Sequence, residues 1–486
     1  MVIPHEVGVP GLKRVLILLF SMLPASLMWL SCSSSSSTSS STKTSGVEYR
    51  ALITNSVSAG SLIAGVYIVN AETDVRAAAS PISAGNTPGM MVLTPNRAQT
   101  LVFSGSGTQS SDNQFTIINN ATESAASHVI LPGMTESFVV SPDSSTAYVA
   151  VPTAPVVGQS PGVVEVISLN SGAITGVVDI PSVHYLSIDN SGNRIFGFSD
   201  NSDSVAVITP SNIGIPGSSV VTSVGGFDHP VWAYFSSDDS TAYVLNCGAE
   251  CGGTQASVQT LDLTTNTAGP SDVVCIPGAN PPCAGTVDLL AGSVALVNGS
   301  TIYVAGTPPY IGGAPSQPCT GQTTAATSCG LLTIVDLSTM TVTSSGIVIT
   351  DGYHTHLALG ANGQLFIGAH TCTEIIPPLP PPAGAEVRGC LSIYNTQSVA
   401  VGTIQPGTVL IPPANGDVTG IQPFPTRGVT GRKPVASNVV YVIQGGSLAI
   451  YDATTDALEY NPNDPNNPGQ IFGLIGQFID VKTPDF

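Results

Sequence analysis

Eight times along this chain an alternating apolar run breaks into a polar turn. The clearest copies are "VEVISLNSGAI" from Val164, "VQTLDLTTNTA" from Val258, "LTIVDLSTMTV" from Leu332, "LSIYNTQSVAV" from Leu391 and "LAIYDATTDAL" from Leu448. Looser copies begin at Val66, Phe115 and Val205. A second unit precedes most of them: an apolar strand, a turn rich in Pro, Asp, Asn, Ser or Gly, then a strand with an aromatic and a valine. "SFVVSPDSSTAYVAV" and "AYFSSDDSTAYVLN" show it plainly. Apolar residues recur with period 2, and β-branched, Tyr and Phe residues fill the runs, so the segments are strands rather than helices. Each period spans about 45 to 65 residues and supplies four strands.

That arithmetic predicts an all-β fold: a single β-propeller of four-stranded blades, eight blades favoured and seven possible, because the copies near Val205 and Gly428 are weak. The two ends support it. "EYRALITNS" is a second strand lacking its first, and the terminal "FIDVKTPDF" is a first strand and turn lacking its second. Joined, they complete one blade, so the ring is expected to close by the C-terminal strand pairing into the first blade. Closure removes exposed sheet edges.

A targeting segment precedes the repeats. Lys13 and Arg14 lead into "VLILLFSMLPASLMWL". The run is short for a spanning helix, which needs about 20 residues, and Pro24 interrupts it. Leu30, Ser31 and Cys32 then open a serine-rich run to Ser45 that has nothing to bury and reads as a flexible tether. This segment resembles a bacterial lipoprotein signal, with Trp29 where the family usually carries Leu. The resemblance implies cleavage before Cys32 and lipidation of its thiol. Ser33 beside it, rather than Asp, implies the outer membrane of the bacterial cell envelope. The expected organisation is a signal peptide over 1–31, a lipidated Cys and tether over 32–46, and the propeller over 47–486.

The repeats resemble the YVTN-type β-propeller repeats of bacterial surface and periplasmic proteins, over nearly all of residues 47–486; "SPDSSTAYVAV", "SSDDSTAYVLN" and "VEVISLNSGAI" carry the likeness. A propeller hosts many activities, so this fixes fold and not function. No G-x-S-x-G, H-E-x-x-H, P-loop or C-x-x-C-H motif is present. The formal net charge of −19 repels phosphate backbones, which argues against nucleic acid as a partner.

Eight cysteines besides Cys32 fall as sequence neighbours: Cys247 with Cys251, Cys275 with Cys283, Cys319 with Cys329, and Cys372 with Cys390. An even set in an exported chain reads as disulfides. With strands named A to D from the axis outward, the B–C and D–A loops share one face. Three pairs fall in B–C loops and Cys275/Cys283 in a D–A connection, so all four bridges are expected on that face. His184, His229, His354 and His356 sit near A-strand starts, His370 ends a B strand, and Arg427 enters the last blade. His354 and His356, two apart on a strand, should point the same way. These six are the candidates for binding an anion or a divalent metal at the channel mouth; the alternative is that they fill the rim against neighbouring backbone. Acids such as Asp143, Asp238 and Asp239 lie in A–B turns on the opposite face and read as structural.

The expected function is a lipid-anchored extracytoplasmic binding scaffold, meeting the membrane through its anchor and a protein or small molecule on the B–C/D–A loop face. No cofactor is predicted beyond a possible divalent metal. The alternative is a hydrolase of the lactonase kind using the same mouth.

Overall fold

The computed structural model describes residues 43–57, 63–105, 112–276, 283–308, 329–372, 389–397, 405–412, 416–424, 438–453, 455–458 and 477–485. They form eight four-stranded antiparallel blades around one axis. Blades 2 to 8 begin at residues 88, 138, 183, 230, 294, 353 and 418. Blade 1 is composite. Its inner strand is Phe478–Lys482, followed outward by Arg50–Asn55, Gly65–Asn70 and Val75–Arg76. Leu52 pairs with Lys482 and Ile53 with Val481, so the ring closes as the split repeat requires. In blade 8, Val418–Phe424, Val439–Gln444 and Ser447–Asp452 are followed at the outer position by the antiparallel Tyr451–Leu458 bridge.

The near-continuous apolar B strands follow from burial on both faces. In Thr146–Val151, Ala147, Val149 and Val151 enter the core shared with blade 2, whereas Tyr148 and Ala150 enter the core shared with blade 4. Period-2 alternation thus splits one strand between two interfaces. Each of the eight blade junctions has such a core, including the one between blades 8 and 1.

Two loop expectations are modified. The Cys275–Cys283 disulfide is formed, but not in a D–A connection. Thr267–Ala268 and Thr286–Asp288 both pair with the C strand Ser257–Asp262 of blade 5, and the bridged hairpin is an excursion from the middle of this outer strand. Gly269 and Gly285 close its base on Thr260, through Gly269 N–H to the Thr260 carbonyl (2.7 Å) and Thr260 N–H to the Gly285 carbonyl (2.9 Å). The hairpin therefore lies at the rim rather than with the face loops. Second, within the stretch expected to be a flexible tether, Lys43 pairs with Asp485 at 3.1 Å and the Ser45 hydroxyl donates to Glu123 at 2.7 Å. Cys32 lies outside the described residues.

Candidate functional site

The inner strands carry a recurring irregularity near their start. In blades 1, 2, 4, 5, 7 and 8 the A–B register shifts there, leaving a residue without a partner on the B strand. Such bulges re-aim side chains. In blade 4 the residue passed over is His184, between the Val183–Ser199 and Tyr185–Phe198 pairs. In blade 7 it is Thr355. That extra residue undoes the expected common direction of His354 and His356. The His354 ring is buried against Gly330 and bonds the Thr350 carbonyl through Nε2 at 3.0 Å, filling the junction with blade 6. His356 instead faces His370, with ring centroids 6.3 Å apart, and its Nδ1 meets the Thr355 hydroxyl at 2.8 Å.

Burial holds His354 down to about 4. Burial, then the charges of Lys482 and His370, holds His356 down to about 3. Burial also lowers His370. All three are neutral imidazoles at neutral pH. Arg427 lies outside the described residues, as does Cys319. Cys329 is disulfide-bonded, and the Cys247–Cys251 and Cys372–Cys390 bridges are present in B–C loops.

Among the described residues, His184 and His229 of the expected six line one cavity together. It holds about 320 Å³ on the B–C/D–A face of blades 4 and 5, lined also by Tyr185, Asp200, Glu250 and Tyr353. His184 bridges two carboxylates: Nδ1 to Asp200 Oδ1 at 2.9 Å, and Nε2 to Glu136 Oε2 at 3.0 Å. The hydrogen bond to Glu136 and the charge of Asp200 raise its pKa, so the protonated form is favoured. Its ring stacks on Tyr185 at 4.4 Å. The Tyr185 hydroxyl in turn reaches that of Tyr353, three blades away, at 3.4 Å, so two phenols narrow the mouth.

His229 takes a left-handed backbone (φ 53°) before Pro230, and its Nδ1 lies 3.2 Å from Asp203 and 3.5 Å from Asp228. One donor atom from each of these three residues lies within 4.8 Å of the others, a spacing a divalent cation could use. Asp228, however, already accepts the N–H groups of Thr254 (3.0 Å) and Gln255 (2.7 Å), and so clasps the blade 5 loop. Glu250 sits within the Cys247–Cys251 turn, and its Oε1 accepts the Thr307 N–H of blade 6 at 3.1 Å. Burial pushes its carboxyl up to about 7.

Sequence reasoning passed over Glu136, Asp200, Tyr185, Glu250 and Tyr353. The signals for two of them were local: a carboxylate inside "CGAEC", and a tyrosine beside the bulged histidine in "PSVHYLSID".

The molecule is thus an eight-bladed β-propeller with an acidic, aromatic mouth. No family model and no curated protein matches the sequence. Solved structures match in fold. Hydrazine synthase of Kuenenia stuttgartiensis is 12% identical with a TM-score of 0.50, over 78% of this chain and 99% of that one. The dihydro-heme d1 dehydrogenase NirN is 11% identical with a TM-score of 0.51, over 90% of this chain and 75% of that one. A putative 6-phosphogluconolactonase of Bacteroides fragilis is 10% identical with a TM-score of 0.44, over 90% and 98% of the two chains. At such identities the likeness is one of fold alone.

Proposed function

We propose that the protein is a lipid-anchored binding propeller of the bacterial cell envelope, and that its channel mouth takes a small ligand bearing a cationic amine. The observation that carries the reading is the company His184 and His229 keep. Carboxylates of Glu136, Asp200, Asp203 and Asp228 stand against the two imidazoles, so the mouth is a poor place for an anion. Tyr185 and Tyr353 line the same cavity, and aromatic rings attract ammonium groups. The net charge of −19 raises local cation concentration. The disulfides and the lipobox-like Cys32 support an oxidising compartment outside the cytoplasm.

A hydrolase would find a general acid in Glu250, whose carboxyl lies near neutrality. That carboxyl is turned to the Thr307 backbone, which favours a bracing role over chemistry.

Calorimetric titration of the full chain with ethanolamine, putrescine and citrate tests the mouth. The amines are expected to bind and citrate not to, with amine affinity falling about tenfold in Asp200→Asn. Citrate binding, or amine binding indifferent to Asp200→Asn, would refute it. The anchor is checked alongside: Cys32→Ser is expected to move the protein from the membrane to the soluble fraction, and unchanged partition would remove that part of the reading.

A further inference from the structure

The mouth cavity does not end at blade 4. A second cavity of about 390 Å³ lies beside it towards blade 3, and Ser199 and Asp200 line both. The two differ in character. The inner one is lined by the aromatic residues Tyr185, Phe198 and Tyr353, with His184 stacked flat on Tyr185. The outer one is richer in hydroxyl-bearing residues, with Ser160, Ser182, Ser202, Ser204 and Ser223 beside Asp179, set among the apolar Ile180, Pro181 and Val221. Among the described residues, no Lys or Arg lines either cavity. The charge His184 carries when protonated is already answered by Glu136 and Asp200, so such a lining disfavours phosphorylated, sulfated or carboxylated ligands.

Asp200 stands where the cavities join. Its side chain is 52% exposed even while its oxygens hold His184, so it can accept further hydrogen bonds from a ligand. Each cavity alone is at the small end of the range for ligand pockets, and together they suit an elongated molecule. That molecule needs a cationic group for the inner carboxylates, a flat apolar face for the tyrosines, and many hydroxyls for the serines.

Building on the reading of the mouth as an amine site, we infer that the two cavities form one groove for an amino-sugar oligosaccharide. One glucosamine-type ring sits at the tyrosines with its ammonium towards Asp200. The following rings run outward over the serines, whose hydroxyls both donate and accept. A simple polyamine would satisfy the carboxylates and leave the serine cavity unused.

The test is calorimetric titration of the full chain with glucosamine, its β-1,4-linked tetramer, the N-acetylated tetramer and cellotetraose. The glucosamine tetramer is expected to bind about tenfold tighter than the monomer and about tenfold tighter than either uncharged tetramer. Ser160→Val/Ser223→Val, checked first for an unchanged melting temperature, is expected to weaken the tetramer about fivefold and leave the monomer alone. Equal affinities for monomer and tetramer, or no effect of the serine pair, would overturn the groove. So would an uncharged tetramer that matches the charged one, or failure of every sugar in a protein that still binds ethanolamine. The mouth reading is judged separately, by the simple amines and Asp200→Asn.

Discussion

Glu250 shows how one carboxyl can make a propeller junction sensitive to pH. It reaches from the disulfide-closed turn of blade 5 to the Thr307 N–H of blade 6, and Gly306 must lack a side chain because a Cβ there would stand 2.5 Å from Oε2. Burial raises the folded pKa from 4.5 to about 7. Below 4.5 the group is protonated in both states. Between 4.5 and 7 the unfolded chain loses the proton first, so stability falls as pH rises through that window and is flat above it. Glu250→Gln keeps an acceptor for Thr307 and removes the titration. Its melting temperature relative to the parent is expected to rise from pH 5 to pH 8; a constant difference in thermal melts would contradict the burial argument. His184, raised by Glu136 and Asp200, works in the same direction. Its stabilisation is complete below 6.5 and disappears as pH climbs through its higher folded value.

The turns between A and B strands repeat a left-handed residue, at Arg97, Ser144, Gly192, Asp239, Gly299 and Gly363. Where that residue has a side chain, it reaches back to the preceding blade. An Arg97 guanidinium nitrogen donates to the Thr483 carbonyl (2.8 Å), the Ser144 hydroxyl accepts the Asn96 N–H (3.0 Å), and Asp239 accepts those of Asn190 (3.0 Å) and Ser191 (2.8 Å). Asp143 and Asp238 act within their own turns, accepting from Ser141 and Ser145 and from Ser236 and Ser240. The structural reading of these acids therefore divides into a local cap and an inter-blade brace. Asp239→Ala forfeits the brace and keeps the left-handed strain, so a loss of about 2 kcal/mol is expected. Asp239→Gly relieves the backbone and is expected to lose about 1 kcal/mol. Urea unfolding checks the order; equal losses would show that backbone strain plays no part.

Ring closure rests on more than strand pairing. Arg50, with its side chain 3% exposed, opens the second strand of blade 1 and donates to Asp485 beyond the C-terminal strand, through Nε at 2.8 Å and a guanidinium nitrogen at 2.6 Å. Another guanidinium nitrogen pairs with Glu123 of blade 2 at 3.0 Å and also reaches the Asn120 carbonyl. One cation thus joins the first strand, the last turn and the neighbouring blade. Arg50→Ala would leave two carboxylates without it, one of them 1% exposed, and a loss of about 3 kcal/mol or more is expected. Thermal melts measure it; a shift no larger than that of an exposed charge such as Asp288→Ala would show that the strand ladder alone closes the ring.

The blades and the split repeat were legible in residue order because their causes are local, whereas their number stayed at eight favoured and seven possible, since the copies near Val205 and Gly428 are weak. Alternation with period 2 and turn residues such as those of "SPDSS" act between near neighbours, and both survive unchanged in the fold. Which histidines would meet was not legible. His184 finds Asp200 sixteen residues on and Glu136 forty-eight residues back, and Tyr185 finds Tyr353 across 168 residues. Those meetings depend on which blades face each other around a closed ring. The divergence of His354 and His356 depends on one unpaired residue in the A strand, a shift in the phase of alternation that falls just after His354, where too few strand residues precede it for the pattern to reveal it.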